Sequence, residues 1–442
     1  MINARLVDRD MDSSGAIFAR DGTIERVFAG TLPSADDEAE LKRLRADPFV
    51  ETVDARGAVL MPAFVDLHAH FRDPGFTQKE DAVTGSRAAC AGGYGTVVLM
   101  ANTNPVISTS EAALAVNARV KAAGLVDAFQ AVSLTRNFDG QDTTELVSLD
   151  AKEVPVATED GREVASASVM LRAMESCARS GVVVSCHCED PELARSAKPF
   201  RDTALIAARE GRESDERANL AEAERLLRLA EDTMTARNLS LARAARCRVH
   251  IAHVSTEGAI AAVRAAKALA RDGSFAVTCE VTPHHLSLTD SAPEIVNPPL
   301  RGEADLETLI AGILDGTVDA IATDHAPHTA VDKAAGAPGF SGIQIAFATV
   351  NTALAKTGRV GLKTLSALMS ANPASILGLK RGLLRSGYDA DLVLVDPDAT
   401  FTVDPESAGW FSRGKNTPLA GRTLTGVVLA TFKRGRVVFT RD

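Results

Sequence analysis

The chain has 442 residues, of which 45% are hydrophobic, 24% charged and only 4% aromatic, a composition typical of a globular protein with a large core. Its 58 acidic residues against 48 basic ones give a formal charge of -10, which disfavours binding to nucleic acid. The longest apolar runs, such as VVLMA at 97–101, are far shorter than the roughly 20 residues that span a bilayer, so we expect no membrane partner.

Residues 1–57 carry strand and turn signals. The run GAIFARDGTIERVF contains two strand-like stretches separated by RDG, which favours a tight turn. The polar stretch 33–47, rich in Asp, Glu and Ala, predicts either a surface helix or a loop insert. This segment alone has too few strands for a stable sheet, so it must pair with strands from elsewhere in the chain.

Eight apolar or β-branched runs follow up to residue 324 and alternate with helical segments. The segment 163–180 ends before Gly181, and 256–272 begins at Thr256 as N-cap and ends before Gly273. Strict alternation of strand and helix implies parallel pairing, so residues 58–379 are predicted to form a closed (β/α)8 barrel of the TIM type, in the α/β class. The eight runs are VLMPAFVDL, GTVVLM, AFQAVSL, EVPVAT, GVVVSC, RVHIAHV, SFAVTCEV and VDAIAT.

Residues 380–442 return to strand and turn signals, in ADLVLVDP and in GVVLATFKRGRVVF with KRGR as the turn. Because neither end of the chain suffices alone, we predict that residues 1–57 and 380–442 together form one small β-domain, a β-sandwich, beside the barrel. The charged segment 203–245 has apolar positions at helical spacing and is predicted to be a helical packing surface.

The six cysteines lie mostly in or beside apolar stretches, and the first residues, MINARLVDRDMD, lack the pattern of a secretory signal. Both features favour the cytoplasm, where thiols stay reduced. Cys186 and Cys188 flank His187, but thiolate metal sites usually draw two more ligands from a second close pair, which this sequence lacks. We therefore expect buried structural cysteines.

All nine histidines fall within the predicted barrel. His68 and His70 end the first predicted strand, His187 the fifth and His253 the sixth, while Asp324 ends the eighth. In this architecture the carboxyl ends of the strands form the catalytic face, and the His-Ala-His spacing directs both imidazoles to one side. The pattern predicts a metal centre at the barrel mouth. The other five histidines are His250, His284, His285, His325 and His328.

His250 lies three positions before His253, an odd spacing, so we expect the two side chains to face apart. We predict that His250, His284, His285 and His325 are structural or orient the ligands.

The ordered motifs resemble those of dihydroorotases of the amidohydrolase superfamily, specifically the bacterial class I type. The likeness runs from about residue 65 to the C-terminus. It implies a zinc-dependent enzyme of pyrimidine biosynthesis that reversibly cyclises N-carbamoyl-L-aspartate to L-dihydroorotate with loss of water. The motifs are VDLHAHFRDPG (65–75), MANTNP (100–105), TEDG (158–161), CHCED, HIAHVST, TPHHL, NPPLR (297–301), ATDHAPHT (322–329), GYDADLVLVDP (387–397) and SRGKNTPLAGR (412–422).

The resemblance implies one or two zinc ions. It makes Asp324 the proton-transfer base as well as a ligand of the first zinc, and Asp160 the bridge that a carboxylated lysine provides in many relatives. Asp160 could instead be a turn residue before Gly161. The implied ligands are His68, His70 and Asp324 for one ion, His187 and His253 for the other, and Asp160 between them.

Substrate contacts follow from the same resemblance. Arg72 has the planar fork that suits the substrate carboxylate, although it could instead pair with Asp73 on the surface. His70, Asn102 and His328 are implied to help bind the substrate. Asn297 and the backbone of Pro338 and Gly339 are implied to contact the pyrimidine ring.

Three departures from the family pattern stand out. MANT replaces MPNT at 100–103, the segment between His328 and Pro338 is shorter, and the segment 203–245 is longer. None of them removes an implied ligand, but the second bears on how the site closes and the third on contacts between subunits.

Two other functions remain compatible with the sequence. One is a related cyclic amidohydrolase, a dihydropyrimidinase or an allantoinase, with a neutral or ureide substrate. The other is a metal-free scaffold for aspartate transcarbamoylase, a class expected to have lost ligands that this chain retains. We expect a small-molecule substrate, a homodimer and, as a possible partner, aspartate transcarbamoylase.

Overall fold

The computed structural model describes residues 1–30, 34–292 and 295–441. The stretch predicted at 33–47 forms a helix from N-cap Ser34, while Pro33 lies outside the described residues. The strands are β1 Ala4–Val7, β2 Asp12–Arg20, β3 Thr23–Ala29, β4 Val59–Pro62, β5 Phe64–Ala69, β6 Tyr94–Leu99, β7 Asp127–Gln130, β8 Val132–Ser133, β9 Val156–Thr158, β10 Val183–Cys186, β11 Arg248–Ile251, β12 Ala276–Val281, β13 Ala320–Ile321, β14 Leu392–Thr402, β15 Thr423–Lys433 and β16 Arg436–Thr440.

The helices alternate with the strands through the middle of the chain. They are α1 Ala35–Ala46, α2 Ala82–Ala91, α3 Ser110–Ala123, α4 Ala167–Ser180, α5 Pro191–Arg209, α6 Glu213–Ala245, α7 Glu257–Leu269, α8 Glu303–Leu314, α9 Ala330–Ala334, α10 Ala346–Val350, α11 Leu362–Ser366 and α12 Asn372–Ile376. As predicted, Thr256 caps α7 and Gly181, in a left-handed conformation, ends α4. No helix among the described residues is long and apolar enough to cross a membrane.

Strands from both ends of the chain form one seven-stranded sheet, in the order β16-β15-β14-β4-β1-β2-β3. The predicted turns lie at Asp21-Gly22 and Arg434-Gly435, where all four residues have positive φ. β4 pairs with β1 and β14 in this sheet, so the sheet extends to residue 62, beyond the expected boundary at residue 58. The division into two domains and the sandwich arrangement stay predictions.

The predicted barrel strands are present and pair in parallel. β5, β6 and β7 form one sheet, β8 to β13 form another, and only Ala131 separates β7 from β8. The ends of the barrel meet where the His70 N–H donates to the His325 carbonyl at 2.8 Å, beside a parallel bridge between Ala69 and His325. The predicted (β/α)8 fold is confirmed by this pairing and by the similar folds reported below.

The run VLMPAFVDL forms two strands rather than one. β4 joins the terminal sheet and β5 begins the barrel, with Ala63 between them donating its N–H to the Asp391 carbonyl at 2.9 Å. The single predicted strand was therefore wrong, because both halves are apolar and only their distant partners decide which sheet each one joins.

A buried apolar cluster takes side chains from most of the barrel strands and lies below the polar residues of the mouth. Three predicted site residues each lie four positions beyond a member of this cluster. All three site residues lie beyond the last residue of their strand, β9, β10 or β13, so the polar layer continues the apolar layer at the carboxyl ends of the strands. The pairs are Val156 with Asp160, Val183 with His187, and Ala320 with Asp324.

The charged segment 203–245, called here the charged arm, comprises the last part of α5 and the whole of α6. α6 packs against α4 and α7. Its buried side chains recur at helical spacing, at Ala223, Leu227, Ala230 and Met234. Arg228 on the same helix forms a two-point ion pair with Asp305 of α8, at 2.7 and 2.6 Å. The arm is thus fixed to the barrel by apolar packing and by a charge pair.

All six cysteines are free and buried, as the sequence predicts. Burial raises the pKa of Cys186 well above its ordinary value and that of Cys188 above the ordinary range as well, so both stay protonated thiols. The Cys188 sulfur accepts a hydrogen bond from Asn238 Nδ2 at 3.6 Å. The two thiols that flank His187 are therefore packing residues.

Candidate metal centre and active site

The first group of predicted ligands lies at the carboxyl ends of β5, β9 and β13. His68 Nε2 is 3.3 Å from Asp160 Oδ1 and 3.6 Å from Asp324 Oδ1. His70 Nε2 is 3.1 Å from Asp324 Oδ1 and 3.6 Å from Asp160 Oδ2. Both imidazoles turn the same ring nitrogen toward the same two carboxylates. His68, His70 and Asp324 offer ligand atoms that all lie within 4.8 Å of one another.

The second group surrounds the other side of Asp160. His187 Nδ1 is 2.9 Å from His253 Nε2 and 3.4 Å from Asp160 Oδ1. His253 Nε2 lies 3.8 Å from the same oxygen. His68, Asp160 and His253 also offer ligand atoms within 4.8 Å of one another. Asp160 therefore contacts all four imidazoles and connects the two groups.

These six side chains fit a divalent metal ion. All six are buried, with exposed fractions from 1% at His68 to 8% at His187. Among the described residues, both ring nitrogens of His68 and Nδ1 of His253 lack a hydrogen-bond partner of good geometry. Buried polar atoms without partners are unfavourable, and neutral imidazoles with carboxylates are ligands that zinc prefers. The donor set therefore suits a metal centre.

Contact between imidazoles and carboxylates shifts the pKa of both. Burial alone would raise the pKa of Asp160 and of Asp324, but the neighbouring imidazoles outweigh it and hold both values below the ordinary one. Burial alone would lower the pKa of His187, yet the contact with Asp160 raises it to about 9. Both carboxylates are ionised at neutral pH, the state in which they bind a cation.

Three predicted site residues have a left-handed backbone. The φ angle is 59° at Arg72, 35° at His253 and 44° at Asp324. A residue with a side chain held in such a conformation costs of order 1–3 kcal/mol, and it persists where its surroundings fix it. Next to Asp324, the buried Asp66 carboxylate accepts hydrogen bonds from the Thr323 N–H at 2.9 Å and from its hydroxyl at 2.5 Å. That contact holds the chain just before Asp324.

His250 does not face away from the site, so this expectation from its odd spacing was wrong. β11 ends at Ile251, and the left-handed backbone at His253 breaks the alternation of side chains. His250 Nε2 contacts Glu280 Oε2 at 3.0 Å, and Glu280 Oε1 lies 3.3 Å from His68 Nδ1. His250 is therefore connected through Glu280 to His68, one of the candidate ligands. Alternation failed here because it holds only within an extended strand.

Of the remaining buried histidines, His285 and His325 contact protein groups, whereas Nε2 of His284 has no hydrogen-bond partner among the described residues. His285 Nδ1 contacts the Thr282 hydroxyl at 2.8 Å, and its Nε2 contacts the Pro298 carbonyl at 3.2 Å. His325 Nε2 lies 3.4 Å from Glu80 Oε2. Burial lowers the pKa of His284 well below its ordinary value, which keeps its imidazole neutral.

Both polar atoms of Asn102 contact predicted metal ligands. Its Oδ1 accepts a hydrogen bond from His70 Nδ1 at 3.0 Å, and its Nδ2 donates to Asp160 Oδ2 at 3.0 Å. Because an amide oxygen only accepts, His70 carries its proton on Nδ1 and presents the lone pair of Nε2 to Asp324. Asn102 thus orients two ligands, and its implied contact with the substrate carboxylate stays a prediction.

Arg72 extends toward the loop after β13. Its Nε donates to the Pro327 carbonyl at 3.3 Å, and its Nη2 lies 3.3 Å from His328 Nε2. Asp73 pairs instead with Arg119, at 3.3 Å. The alternative pair between Arg72 and Asp73 is therefore not formed. Among the described residues, no carboxylate lies within 4.0 Å of this partly buried guanidinium.

The contact with Arg72 defines the protonation of His328. Burial and the neighbouring guanidinium lower the pKa of His328 to about 3, so the imidazole is neutral at physiological pH. Since a guanidinium only donates, Nε2 of His328 is the acceptor and Nδ1 carries the proton. That Nδ1–H has no partner among the described residues.

The low pKa of His328 predicts a dependence of stability on pH. The folded pKa, about 3, lies below the ordinary value of 6.5, so the unfolded chain binds a proton between these pH values that the folded chain does not. The free energy of unfolding should therefore fall as pH decreases from 6.5. His328→Gln should flatten this decline in urea titrations at pH 6.5 and 4.5. An equally steep decline in the variant would contradict the assignment.

Two loops carry the remaining predicted contacts. Asn297 Oδ1 accepts a hydrogen bond from Arg201 Nη1 of α5 at 2.8 Å. Gly339 donates its N–H to the Ile295 carbonyl at 3.0 Å and has a φ of 129°. A Cβ there would lie 2.6 Å from the Ala326 Cβ, so the close approach requires glycine. Pro338 beside it is exposed.

Four supporting residues were not among the sequence predictions. Glu280 and Asp66 are carboxylates inside apolar strands, a pattern that could have indicated them. Asn416 accepts a hydrogen bond from the His328 N–H at 3.0 Å and donates to the Gly339 carbonyl at 2.9 Å. Asn416 and Arg201 come from distant segments, and no local pattern marks them.

Comparison with known proteins finds relatives along nearly the whole chain. Residues 59–438 match the amidohydrolase family. The chain is 38% identical over 441 residues to a dihydroorotase of Clostridium botulinum, covering 99% of this chain and 98% of the relative. It is 40% identical over 400 residues to a dihydroorotase of Caldanaerobacter subterraneus, covering 88% of each. The resemblance to dihydroorotases inferred from the motifs is confirmed.

Solved structures with a similar fold include the L-hydantoinase (dihydropyrimidinase) of Arthrobacter aurescens, with a TM-score of 0.84 and 24% identity over 100% of this chain and 96% of that one. A dihydropyrimidinase of Brevibacillus agri has a TM-score of 0.80 and 19% identity, over 99% and 94% of the two chains. At these identities, the likeness establishes the fold alone.

Proposed function

The chain belongs to the amidohydrolase family and, within it, to the dihydroorotases. We propose that it is a zinc-dependent dihydroorotase. As a hydrolase of cyclic amides, it interconverts N-carbamoyl-L-aspartate and L-dihydroorotate, with loss of water in the direction of pyrimidine biosynthesis. The observation that carries the proposal is that Asp160 contacts four imidazoles, two of which also contact Asp324. Nearby, the Arg72 guanidinium has no carboxylate partner among the described residues.

We assign the ligands from the family resemblance, and the atoms that face each other support the assignment. His68 Nε2, His70 Nε2 and Asp324 would hold one zinc ion, and His187 Nδ1 and His253 Nε2 would hold the second. Asp160, with Oδ2 near His70 and Oδ1 near the other three imidazoles, would be shared between them. When bound, zinc supplies a Lewis acid that polarises the amide carbonyl and lowers the pKa of water toward about 7.

Asp324 acts as the general base and then as the general acid. It is ionised at neutral pH and lies at the mouth, at 3.1 Å from His70 Nε2. In ring opening it accepts the proton of the attacking water and returns it to the ring nitrogen as the amide bond breaks. In ring closure the same carboxylate takes the proton from the carbamoyl nitrogen and delivers it to the departing water. The left-handed backbone fixes its direction.

Arg72 and His328 recognise the substrate carboxylate. The guanidinium has free N–H donors, and the Nδ1–H of His328 also lacks a protein partner among the described residues. A planar fork matches a carboxylate with two parallel hydrogen bonds. Asn297, oriented by Arg201, and the loop at Pro338 and Gly339 contact the ring.

The substrate distinguishes this proposal from its two rivals. A dihydropyrimidinase or an allantoinase acts on rings without a carboxylate, and Arg72 would then be left unpaired. A non-catalytic scaffold for aspartate transcarbamoylase has no need of six converging ligands. The direct test follows ring opening of L-dihydroorotate by ultraviolet absorbance, beside hydantoin and allantoin. Preferential hydrolysis of either rival substrate would contradict the proposal.

A further prediction concerns the metal. Protein expressed with zinc should contain one or two ions per chain by elemental analysis, and chelation should abolish turnover of dihydroorotate until zinc is restored. His68→Ala should lose metal and turnover together, because it removes a nitrogen that faces both carboxylates. Full activity in protein free of divalent metal would contradict this assignment.

We also propose a homodimer that can associate with aspartate transcarbamoylase, in a reducing cytoplasm that suits six buried free cysteines. Analytical ultracentrifugation of the purified chain, alone and with that partner, tests the assembly. A chain that sediments as a monomer, both alone and in the presence of aspartate transcarbamoylase, would contradict the proposed assembly.

A further inference from the structure

A fully buried carboxylate lies behind the metal centre, between two imidazoles. Glu280 of β12 has an exposed fraction of 0%. Its Oε1 lies 3.3 Å from Nδ1 of His68, and its Oε2 lies 3.0 Å from Nε2 of His250. The far nitrogen of His250, Nδ1, lies 2.8 Å from the Thr278 hydroxyl. The four side chains form a row that ends at a ligand.

The row fixes where the protons lie. Neither contact has the geometry of a good hydrogen bond among the described residues, so the two contacts are close approaches of opposite polarity. Because a carboxylate offers only acceptors, a ring nitrogen that faces Glu280 is favoured to carry its proton. His68 with its proton on Nδ1 has its lone pair on Nε2, the nitrogen that faces Asp160 and Asp324. His250 with its proton on Nε2 has a lone pair on Nδ1, which can accept a hydrogen bond from the Thr278 hydroxyl when that hydroxyl turns away from the Val249 carbonyl, 3.4 Å away. The position of the proton on one imidazole is thus linked, through Glu280, to its position on the other.

No ordinary structural role accounts for Glu280. Among the described residues, no lysine or arginine forms an ion pair with it, whereas the similarly buried Glu231 pairs with Arg301 at 3.0 Å and accepts a hydrogen bond from Ser255. A buried carboxylate without a cation is unfavourable. A cation held by His68 on the opposite side of its ring would compensate the charge of Glu280 through the imidazole.

We propose that Glu280, anchored by His250, is a positioning residue that sets the tautomer and ring orientation of His68 as a metal ligand. The inference rests on the proposed metal centre. His70, the other proposed ligand of the His-Ala-His motif, lies just after β5 and faces the neutral amide of Asn102, which favours its proton on Nδ1. The two imidazoles of the His-Ala-His motif are therefore oriented differently, one by a carboxylate and one by an amide.

The test measures zinc affinity rather than activity. Glu280→Gln keeps the volume but replaces one accepting oxygen by a donating amide, which opposes a ring N–H. Competition with a chromophoric chelator should show zinc bound about 10–100-fold more weakly, the range typical for loss of a residue behind a ligand. The visible spectrum of the cobalt-substituted variant should also change, because the orientation of His68 changes.

Glu231→Gln is the matched control, since it makes the same substitution at an equally buried site that contacts no ligand. This variant should unfold at a lower denaturant concentration than the wild type and bind zinc with the same affinity. If Glu280→Gln does not fold, His250→Gln tests the same row by removing the anchor of Glu280. Wild-type zinc affinity and cobalt spectrum in the folded variant would overturn the positioning role.

The outcome is separable from that of the proposed function. A wild-type protein that binds zinc but does not open dihydroorotate would refute the function, and the affinity comparison would still decide the role of Glu280. A wild type that opens dihydroorotate, with zinc affinity unchanged in Glu280→Gln, would refute the positioning role alone.

Discussion

Asp324→Asn should keep the fold while losing turnover of dihydroorotate by at least ~10²-fold, the effect usual for a general acid–base group. The amide preserves the volume and one oxygen, but it cannot accept a proton from water and return it to the ring nitrogen. Because Asp324 Oδ1 also faces His68 and His70, zinc content must be measured together with kcat.

The control for this variant is Asp305→Asn. Asp305 is buried and paired with Arg228 of α6, and none of its contacts among the described residues is with a candidate ligand. It should lower the free energy of unfolding and leave kcat unchanged. Near-normal turnover in zinc-loaded Asp324→Asn would show that another group moves the proton, and a loss that tracks zinc content would show that Asp324 acts only as a ligand.

The course of the barrel could be predicted because its strands carry local signals. Apolar runs, caps and glycines placed α4 and α7 within a few residues of their observed ends. α4 starts after the predicted residue 163, because Ser166 is its N-cap and accepts a hydrogen bond from the Val169 N–H. Glu163 instead contacts Arg237 at 3.3 Å and Asn238. Contacts of this kind join residues far apart in sequence, which no local pattern describes.

The proximity of the candidate ligands could be predicted for a similar reason. His68, His70, Asp160, His187 and Asp324 each lie at or just beyond the end of a strand, and parallel strands bring these ends together. The orientation of the ligands could not be predicted, because it depends on contacts between strands and on single backbone angles. Asn102 and Glu280 face ligands across neighbouring strands, and the left-handed turn at His253 reversed the expectation for His250.

In the proposed function, specificity for the carboxylated ring depends on the charge at Arg72. Its guanidinium is partly buried and has no carboxylate partner among the described residues, and its contacts are with a carbonyl and a neutral imidazole. A cation in that setting is stabilised when an anionic substrate arrives. Removing one partner of such a buried pair typically costs about 2–5 kcal/mol, whereas an exposed pair contributes about 0–1 kcal/mol.

Arg72→Met should therefore collapse kcat/KM for dihydroorotate while zinc content stays unchanged, because Arg72 offers no ligand atom. Neutral dihydrouracil, which has the same ring without the carboxylate, should be affected little, since for that ring the arginine is already unpaired. Arg119→Met is the matched control, because Arg119 is half-exposed and pairs with Asp73. It should change neither substrate's kinetics. Equal small changes for both rings in Arg72→Met would refute the carboxylate-binding role, and a loss confined to the carboxylated ring would establish it.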